Sequence, residues 1–397
     1  MPILSVAKLN PHRYTRRTNE TEVGMSRRKK RYENRQKRRQ EKMQSFIKPF
    51  DDFRNVASFK SLYQAALDAS KGVSWKASVQ RYLLNIVVRT AGVHNDLING
   101  KDVRKGFIKF DLCERGKLRH IQSVHFSERV VQKSLCKNVL LPVLSHNLIY
   151  DNAASQKDKG TLFAINRLVQ HLRRHFRQYG QEGYVLLIDF KSYFDNIDHP
   201  ILKKIYRKYI HDSSILKLTD DFVDAFGSKG LGLGSETSQI HAVAYPNAID
   251  HFIKDQCRIK AYGRYMDDSY IISPSKKELE EILDKLNRCF AAHKIIASPN
   301  KTRIVDLKHG FCFLKTRFFI TESGKILRKP CRKSVTAERR KLKKQGKLVD
   351  AGEMSEADVL NSFVSWTGSM KRRNAAKTVY SMKQLLKRIL HHEKKRN

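Results

Sequence analysis

The pair Asp267-Asp268, set between two apolar stretches, constrains this chain more than any other feature. Ile259-Lys-Ala-Tyr-Gly-Arg-Tyr265 before it and Ser269-Tyr-Ile-Ile272 after it have the residue types of strands, and the pattern predicts a hairpin with its turn at Tyr265-Met-Asp-Asp268. Two adjacent carboxylates repel each other unless a cation neutralises them, and an all-oxygen donor set favours a hard cation such as magnesium. Asp is also common in solvated turns for local reasons, so the pair alone leaves both readings open.

A third carboxylate lies upstream. Gly183-Tyr-Val-Leu-Leu-Ile-Asp189 is a short apolar run that predicts a buried strand with Asp189 at its end. Phe190-Lys-Ser-Tyr-Phe-Asp-Asn-Ile-Asp-His199 follows, and Pro200 opens a helix expected to continue through Tyr206. A carboxylate at a strand end and a pair on a hairpin can together hold two metal ions about 3.5–4 Å apart, the clamp used for in-line phosphoryl transfer. A nucleotide polymerase needs that arrangement. Asp195 and Asp198, next to a turn and a helix start, read as structural.

These segments resemble the motifs of reverse transcriptases. Asp189-Phe-Lys-Ser-Tyr-Phe-Asp-Asn-Ile-Asp-His199 is similar to motif A, Gly230-Leu-Gly-Leu-Gly-Ser-Glu-Thr-Ser-Gln239 to motif B and Tyr265-Met-Asp-Asp268 to motif C. Ser298-Pro-Asn-Lys-Thr302 resembles motif D, and Gly310-Phe-Cys-Phe-Leu-Lys315 the primer grip. Upstream, Glu114-Arg-Gly-Lys-Leu-Arg-His-Ile121 and Ser127-Glu-Arg-Val-Val-Gln-Lys-Ser-Leu135 resemble the fingers motifs of group II intron-like enzymes. The matches keep the family's order across residues 105 to 320.

The resemblance implies an α+β right-hand polymerase: fingers, a palm on a four-stranded antiparallel sheet, and an all-α thumb. The activity implied is RNA-directed DNA synthesis. Asp189, Asp267 and Asp268, with Phe190 beside them, would carry two Mg2+ ions, for which Mn2+ can substitute. Lys301 would protonate the leaving pyrophosphate or simply contact phosphate. Lys117, Arg119, Phe190, Phe194, Leu233, Gly234 and Gln239 would bind the incoming deoxynucleotide. Phe194 stands at the family's sugar gate, where a bulky ring clashes with a ribose 2′-hydroxyl, although the same ring also suits a core. Lys117 and Arg119 flank a charged turn in a hairpin expected near 106 to 124, where cations can meet a triphosphate.

Motif B departs from the family's commonest form. Gly232-Leu233-Gly234 stands where many relatives have Pro-Gln-Gly, and Ser238-Gln239 closes the pattern. The style is similar to diversity-generating retroelement and defence-associated bacterial or phage enzymes, and in the former the aliphatic residue is associated with error-prone copying. A degenerate group II-like element is a third setting, and the Val-Thr-Gly signature of retron thumbs is missing. Gly230, Gly232 and Gly234 permit a backbone path close to a base, and Ser235 is expected to start a helix reaching about Ile253. A protein of another class also fits: a catalytically silent, basic RNA-binding or assembly protein that retains the polymerase fold. Three mutually repelling carboxylates are of no use to such a scaffold.

Composition points the same way. Lys and Arg number 79 against 39 Asp and Glu in 397 residues, a formal charge of +40 that calls for a large polyanionic partner. An RNA template, nascent DNA and deoxynucleotides are the expected partners, and a structured noncoding RNA or accessory protein would be a further one. No apolar run reaches the ~18 residues of a membrane span and no signal peptide is evident, so a soluble cytoplasmic enzyme without membrane contact is expected. The six cysteines show no paired spacing and read as buried, inert thiols in a reducing compartment.

The expected organisation is a basic extension over 1–48, fingers and N-terminal helices over 49–182, a palm over 183–322 and a basic helical thumb over 323–397. The run Arg27–Lys42 has almost nothing to bury, which predicts disorder, or a helix only when docked on phosphates. Met25 precedes it and is an alternative start. Helices are expected near 334–349, 355–370 and 374–392, with Leu342, Leu348, Leu360, Phe363, Trp366, Met382, Leu385 and Leu386 buried. No length remains for an RNase H domain or an endonuclease module.

Overall fold

The computed structural model describes residues 30–391 except 32, 36, 115 and 116. Three antiparallel sheets organise the strands: a hairpin of β1 (Phe107–Glu114) and β2 (Lys117–Val124), a central sheet, and a smaller three-stranded sheet. The central sheet contains β3 (Tyr184–Asp189), β4 (Tyr262–Tyr265), β5 (Asp268–Ser273) and β6 (Arg303–Asp306) in the order β4-β5-β3-β6. The third sheet is β7 (Phe311–Phe313), β8 (Thr316–Ile320) and β9 (Ile326–Pro330). β9 lies past residue 322 yet pairs with β8 along its length.

β3 reads as a continuous apolar run because both of its faces are covered. Leu186 and Ile188 join Tyr262 and Ile271 in a core shared with the helices of the N-terminal half and with the helix Lys276–Ala292. Val185 and Leu187 point the other way, onto Leu168 and Leu172 of the helix Thr161–Tyr179 and onto Phe311, Phe313 and Phe318. Adjacent residues of one strand thus serve different cores, as the period of two requires.

The helix after motif A starts at His199, with Asp198 accepting a hydrogen bond from the Ile201 amide as its cap. Ser235 caps the next expected helix, but that helix does not run unbroken to Ile253. It covers Glu236–Ala244, stops at Pro246, resumes over Asn247–His251 and ends in a π turn over Phe252–Gln256. Proline has no amide hydrogen to continue the ladder.

Helices Arg332–Asp350, Glu356–Met370 and Ala376–His391 enclose a separate small core of Leu342, Val359, Phe363, Met382 and Leu386. Trp366 and Leu385 pack against it half-buried. Leu360, expected inside, is exposed because Val359 takes the inward position of that turn.

One other expectation is narrowed and another corrected. The described residues of 30–47 are helical, the second of the two alternatives and not disorder; the segment's end carries Met43, Phe46 and Ile47, of which Ile47 enters the core and Phe46 stacks on His146 at 3.8 Å. Residues 1–29 lie outside the described residues. Of the cysteines only Cys136 is buried; Cys312 is exposed at the outward position of β7, and Cys113 is exposed because both faces of β1 are open there. Among the described residues no helix is long and apolar enough to cross a membrane.

Candidate active site

β3 and β5 are neighbours, and their register sets Asp189 directly opposite Asp268. Tyr265 pairs with Asp268 across the hairpin, so Met266 and Asp267 form a two-residue turn. The pair therefore does not sit whole at the tip: Asp267 belongs to the turn and Asp268 already to the strand. Met266 adopts φ of 58°, in the left-handed region that side chains disfavour, at a cost on the order of 1–3 kcal/mol.

Two carboxylates on paired strands and a third in the adjoining turn create an electrostatic problem. Burial raises the Asp268 pKa, the charges of Asp267 and Asp189 raise it further, and the result is a carboxyl pushed up to about 7 despite the pull of Lys301. Lys301 lies 2.7 Å from both oxygens of Asp189. Burial alone would lower the Lys301 pKa, but the hydrogen bonds and charge of Asp189 outweigh it and hold the ammonium above its ordinary range. The loop carrying Lys301 is tied to the same strand, since the Ser298 amide donates to the Asp189 carbonyl at 2.7 Å.

Among the described residues no three His, Cys, Asp or Glu side chains already form a metal cage. The donor chemistry nevertheless fits a divalent cation. Negative charge is concentrated until one carboxyl resists ionisation, and an ammonium leans over another as a counter-ion.

The remaining expected residues lie on motif A, on the glycine loop and helix after it, and on the β1–β2 hairpin. Phe190 buries its ring edge-on to Phe290 at 5.4 Å, which leaves its main chain as the part able to serve the site. Phe194 is half-buried, and its carbonyl accepts from the Leu231 amide at 2.8 Å. That bond, with Gly230 donating to the Ile197 carbonyl at 2.8 Å, fastens the glycine loop to motif A. Gly230 has φ of 82°, and a Cβ there would meet the Asp195 carbonyl oxygen at 2.9 Å, so the glycine is required for a close approach.

The same loop reaches the fingers hairpin. The Gln122 amide donates to the Leu233 carbonyl at 3.1 Å, and Ile121 bridges Leu233 in parallel. Leu233 is half-buried, while Gly234 and Gln239 are exposed beside it. Arg119 is exposed on β2 opposite Leu112, three residues from that junction. Lys117 opens β2, and its side chain lies outside the described residues. Backbone bonds thus tie the glycine loop to motif A at Phe194 and Ile197 and to the Arg119 strand at Gln122. Sequence reasoning missed Gln122, one residue past the fingers motif, because its contact is made by the main chain, and Arg264, a charge inside an otherwise apolar strand.

A family model described as reverse transcriptase (RNA-dependent DNA polymerase) matches residues 103–327, which include every site residue named above. No curated protein matches the chain. Among solved structures, an apo telomerase from Candida tropicalis truncated from its C-terminal domain overlaps at 12% identity over 56% of this chain and 54% of that one, with a TM-score of 0.44. A telomerase from Candida albicans in complex with a TWJ fragment of telomeric RNA overlaps at 14% identity over 73% of this chain and 59% of that one, with a TM-score of 0.46. The chain spans less than two thirds of either, and at these scores neither likeness bears on fold or function.

Proposed function

The chain belongs to the reverse transcriptase family, and from that premise we propose that it is an RNA-directed DNA polymerase extending a primer with deoxynucleotides. The observation that carries the reading is Asp189 facing Asp268 across β3 and β5 with Asp267 in the preceding turn. Asp189, Asp267 and Asp268, with the main chain of Phe190, are the residues to hold two Mg2+ ions, or Mn2+ in their place. Such ions supply activation of the primer 3′-hydroxyl and neutralisation of the triphosphate.

The chain's own side chains supply the rest. Lys301, once released from Asp189, offers an ammonium to the leaving pyrophosphate. Arg119 and Lys117 bring positive charge on the hairpin to the incoming triphosphate. The Phe194 ring blocks a 2′-hydroxyl, and Leu233, Gly234 and Gln239 border the nascent base pair. The Lys- and Arg-rich C-terminal helices hold the RNA template and nascent DNA by their backbones. In this assignment residues 49–182 are the fingers, 183–322 the palm and 323–397 the thumb, with 1–48 as a basic extension.

A diversity-generating retroelement or an antiphage defence system in the cytoplasm is the setting that the Leu233 motif supports. A structured noncoding RNA or accessory protein joins the complex there. Magnesium-dependent primer extension on RNA and DNA templates, with deoxy- and ribonucleotides in parallel, tests the activity. Templated deoxynucleotide addition on RNA is expected, and none under any metal overturns the reading in favour of a silent RNA-binding protein.

A further inference from the structure

Arg264, on β4 two residues before the Asp-bearing turn, is 1% exposed at its side chain, and its partner Asp250 is 0% exposed. Its Nε lies 2.8 and 3.1 Å from the two Asp250 oxygens, and its Nη2 lies 2.7 Å from one of them. Nη2 also donates to the Val243 carbonyl at 2.8 Å, and Nη1 donates to the Met266 carbonyl at 3.0 Å. The Tyr262 hydroxyl donates to Asp250 at 2.5 Å and fixes the carboxylate from the other side. The Arg264 main chain is held too, by the Asp151 carbonyl at 3.1 Å and the Ala153 amide at 3.0 Å.

A buried ion pair is weak as a stabilising device, because desolvation of both charges offsets their attraction; apolar residues of similar volume often do as well. Stability alone therefore does not account for this pair. What a hydrophobic pair cannot reproduce is the third arm of the guanidinium, which grips the carbonyl of Met266. That residue is the one in left-handed conformation, immediately before Asp267. We propose that Arg264, oriented by Asp250, is a positioning residue that fixes the Met266 turn and so aims Asp267 and Asp268 at their cation. A lysine in its place keeps one charge but has no planar fork to reach Asp250, Val243 and Met266 together.

This inference rests on the polymerase reading, and its test has a readout independent of synthesis. Mn2+ affinity is titrated by EPR without nucleic acid for the wild type, Arg264→Lys and the double variant Asp250→Leu/Arg264→Met, with Asp267→Asn as the background for binding elsewhere. Thermal melting, kcat and the deoxynucleotide KM are measured beside it. Arg264→Lys is expected to lose about tenfold to a hundredfold in Mn2+ affinity and in kcat, with KM little changed, since outer-shell supports of a metal site have effects of that size. The double variant is expected to recover its melting temperature while affinity and kcat stay low. Recovery of all three together, or a folded Arg264→Lys protein with wild-type Mn2+ affinity, overturns the proposal. If the double variant does not fold, Arg264→Lys decides alone. A wild type that binds Mn2+ but adds no nucleotide overturns the polymerase reading and leaves the Mn2+ comparison standing.

Discussion

The central sheet and the β1–β2 hairpin both carry candidate functional side chains, yet they are supported in opposite ways. β3 and β5 are covered on both faces by separate cores. The hairpin exposes Ile108, Phe110, Leu112 and Leu118, and is held near its base by Phe107 stacked on Phe226 at 4.9 Å and by the Gln122–Leu233 bond. Two strands with so little buried apolar surface belong to the low-stability end of a structure. In the proposed assignment, carboxylates that must hold their places within about 0.5 Å sit on the rigid element, and the residues proposed to meet an incoming nucleotide sit on the yielding one.

The sharpest way to break this contrast is on the rigid side. Asp267→Asn is expected to lower nucleotide addition by at least ~10³-fold, about 4 kcal/mol, while RNA binding stays within about twofold, since it removes a cation ligand and none of the basic faces. Filter binding and primer extension on one preparation check it, and substantial residual synthesis removes Asp267 from the chemistry. Next in size is the sugar preference. Phe194→Ala or Phe194→Val is expected to relax discrimination against ribonucleotides by about tenfold to a hundredfold, read as the ratio of ribo- to deoxynucleotide incorporation. An unchanged ratio in a folded variant places the gate elsewhere.

A smaller effect is expected where the hairpin meets the glycine loop. Leu233 offers only apolar contact where a glutamine amide would give a directional one. Leu233→Gln is therefore expected to reduce misincorporation about two- to tenfold, the worth of one hydrogen bond of ~0.5–1.5 kcal/mol. Sequenced cDNA, with rates measured beside it, checks this; equal error spectra at comparable activity detach Leu233 from fidelity.

The smallest effect is a pH dependence. The folded Asp268 pKa is raised to about 7, so between its ordinary pKa and that value the folded state holds a proton that the unfolded chain has lost. The stability it contributes is present at low pH and disappears as pH rises through about 7. In chelator, Asp268→Asn should gain on wild type by a few degrees in melting temperature between about pH 5 and about pH 8, and a divalent cation should shrink that gain. A difference that does not vary with pH contradicts the crowding of charge around Asp268.

Legibility in the sequence followed burial. Gly183–Asp189 was readable because both faces of β3 are covered, which turns the run wholly apolar, and the three C-terminal helices were readable because their inward positions keep helical spacing. Leu360 misled because Val359 beside it is equally apolar and only packing chooses between them. Between disorder and helix, the described residues of 30–47 take the helix, and composition concealed the few apolar residues at the segment's end that anchor it. Within the site, residue types marked Asp189, Asp267, Asp268 and Lys301, but register alone sets Asp189 against Asp268. Gln122 and Arg264 act through main-chain carbonyls, and such partners leave no trace in a pattern of side chains.

The grip of Lys301 on both oxygens of Asp189 would turn the proposed cation loading into ion exchange. A divalent ion held at Asp189, as proposed, would not fill a bare anionic hole; it would displace a monovalent charge already paired with both carboxylate oxygens. The net gain in positive charge at the carboxylates would then be smaller than the ion's own, and the Lys301 ammonium would be available to another anion in the same neighbourhood. Under the proposed reading, loading and arming would be one event.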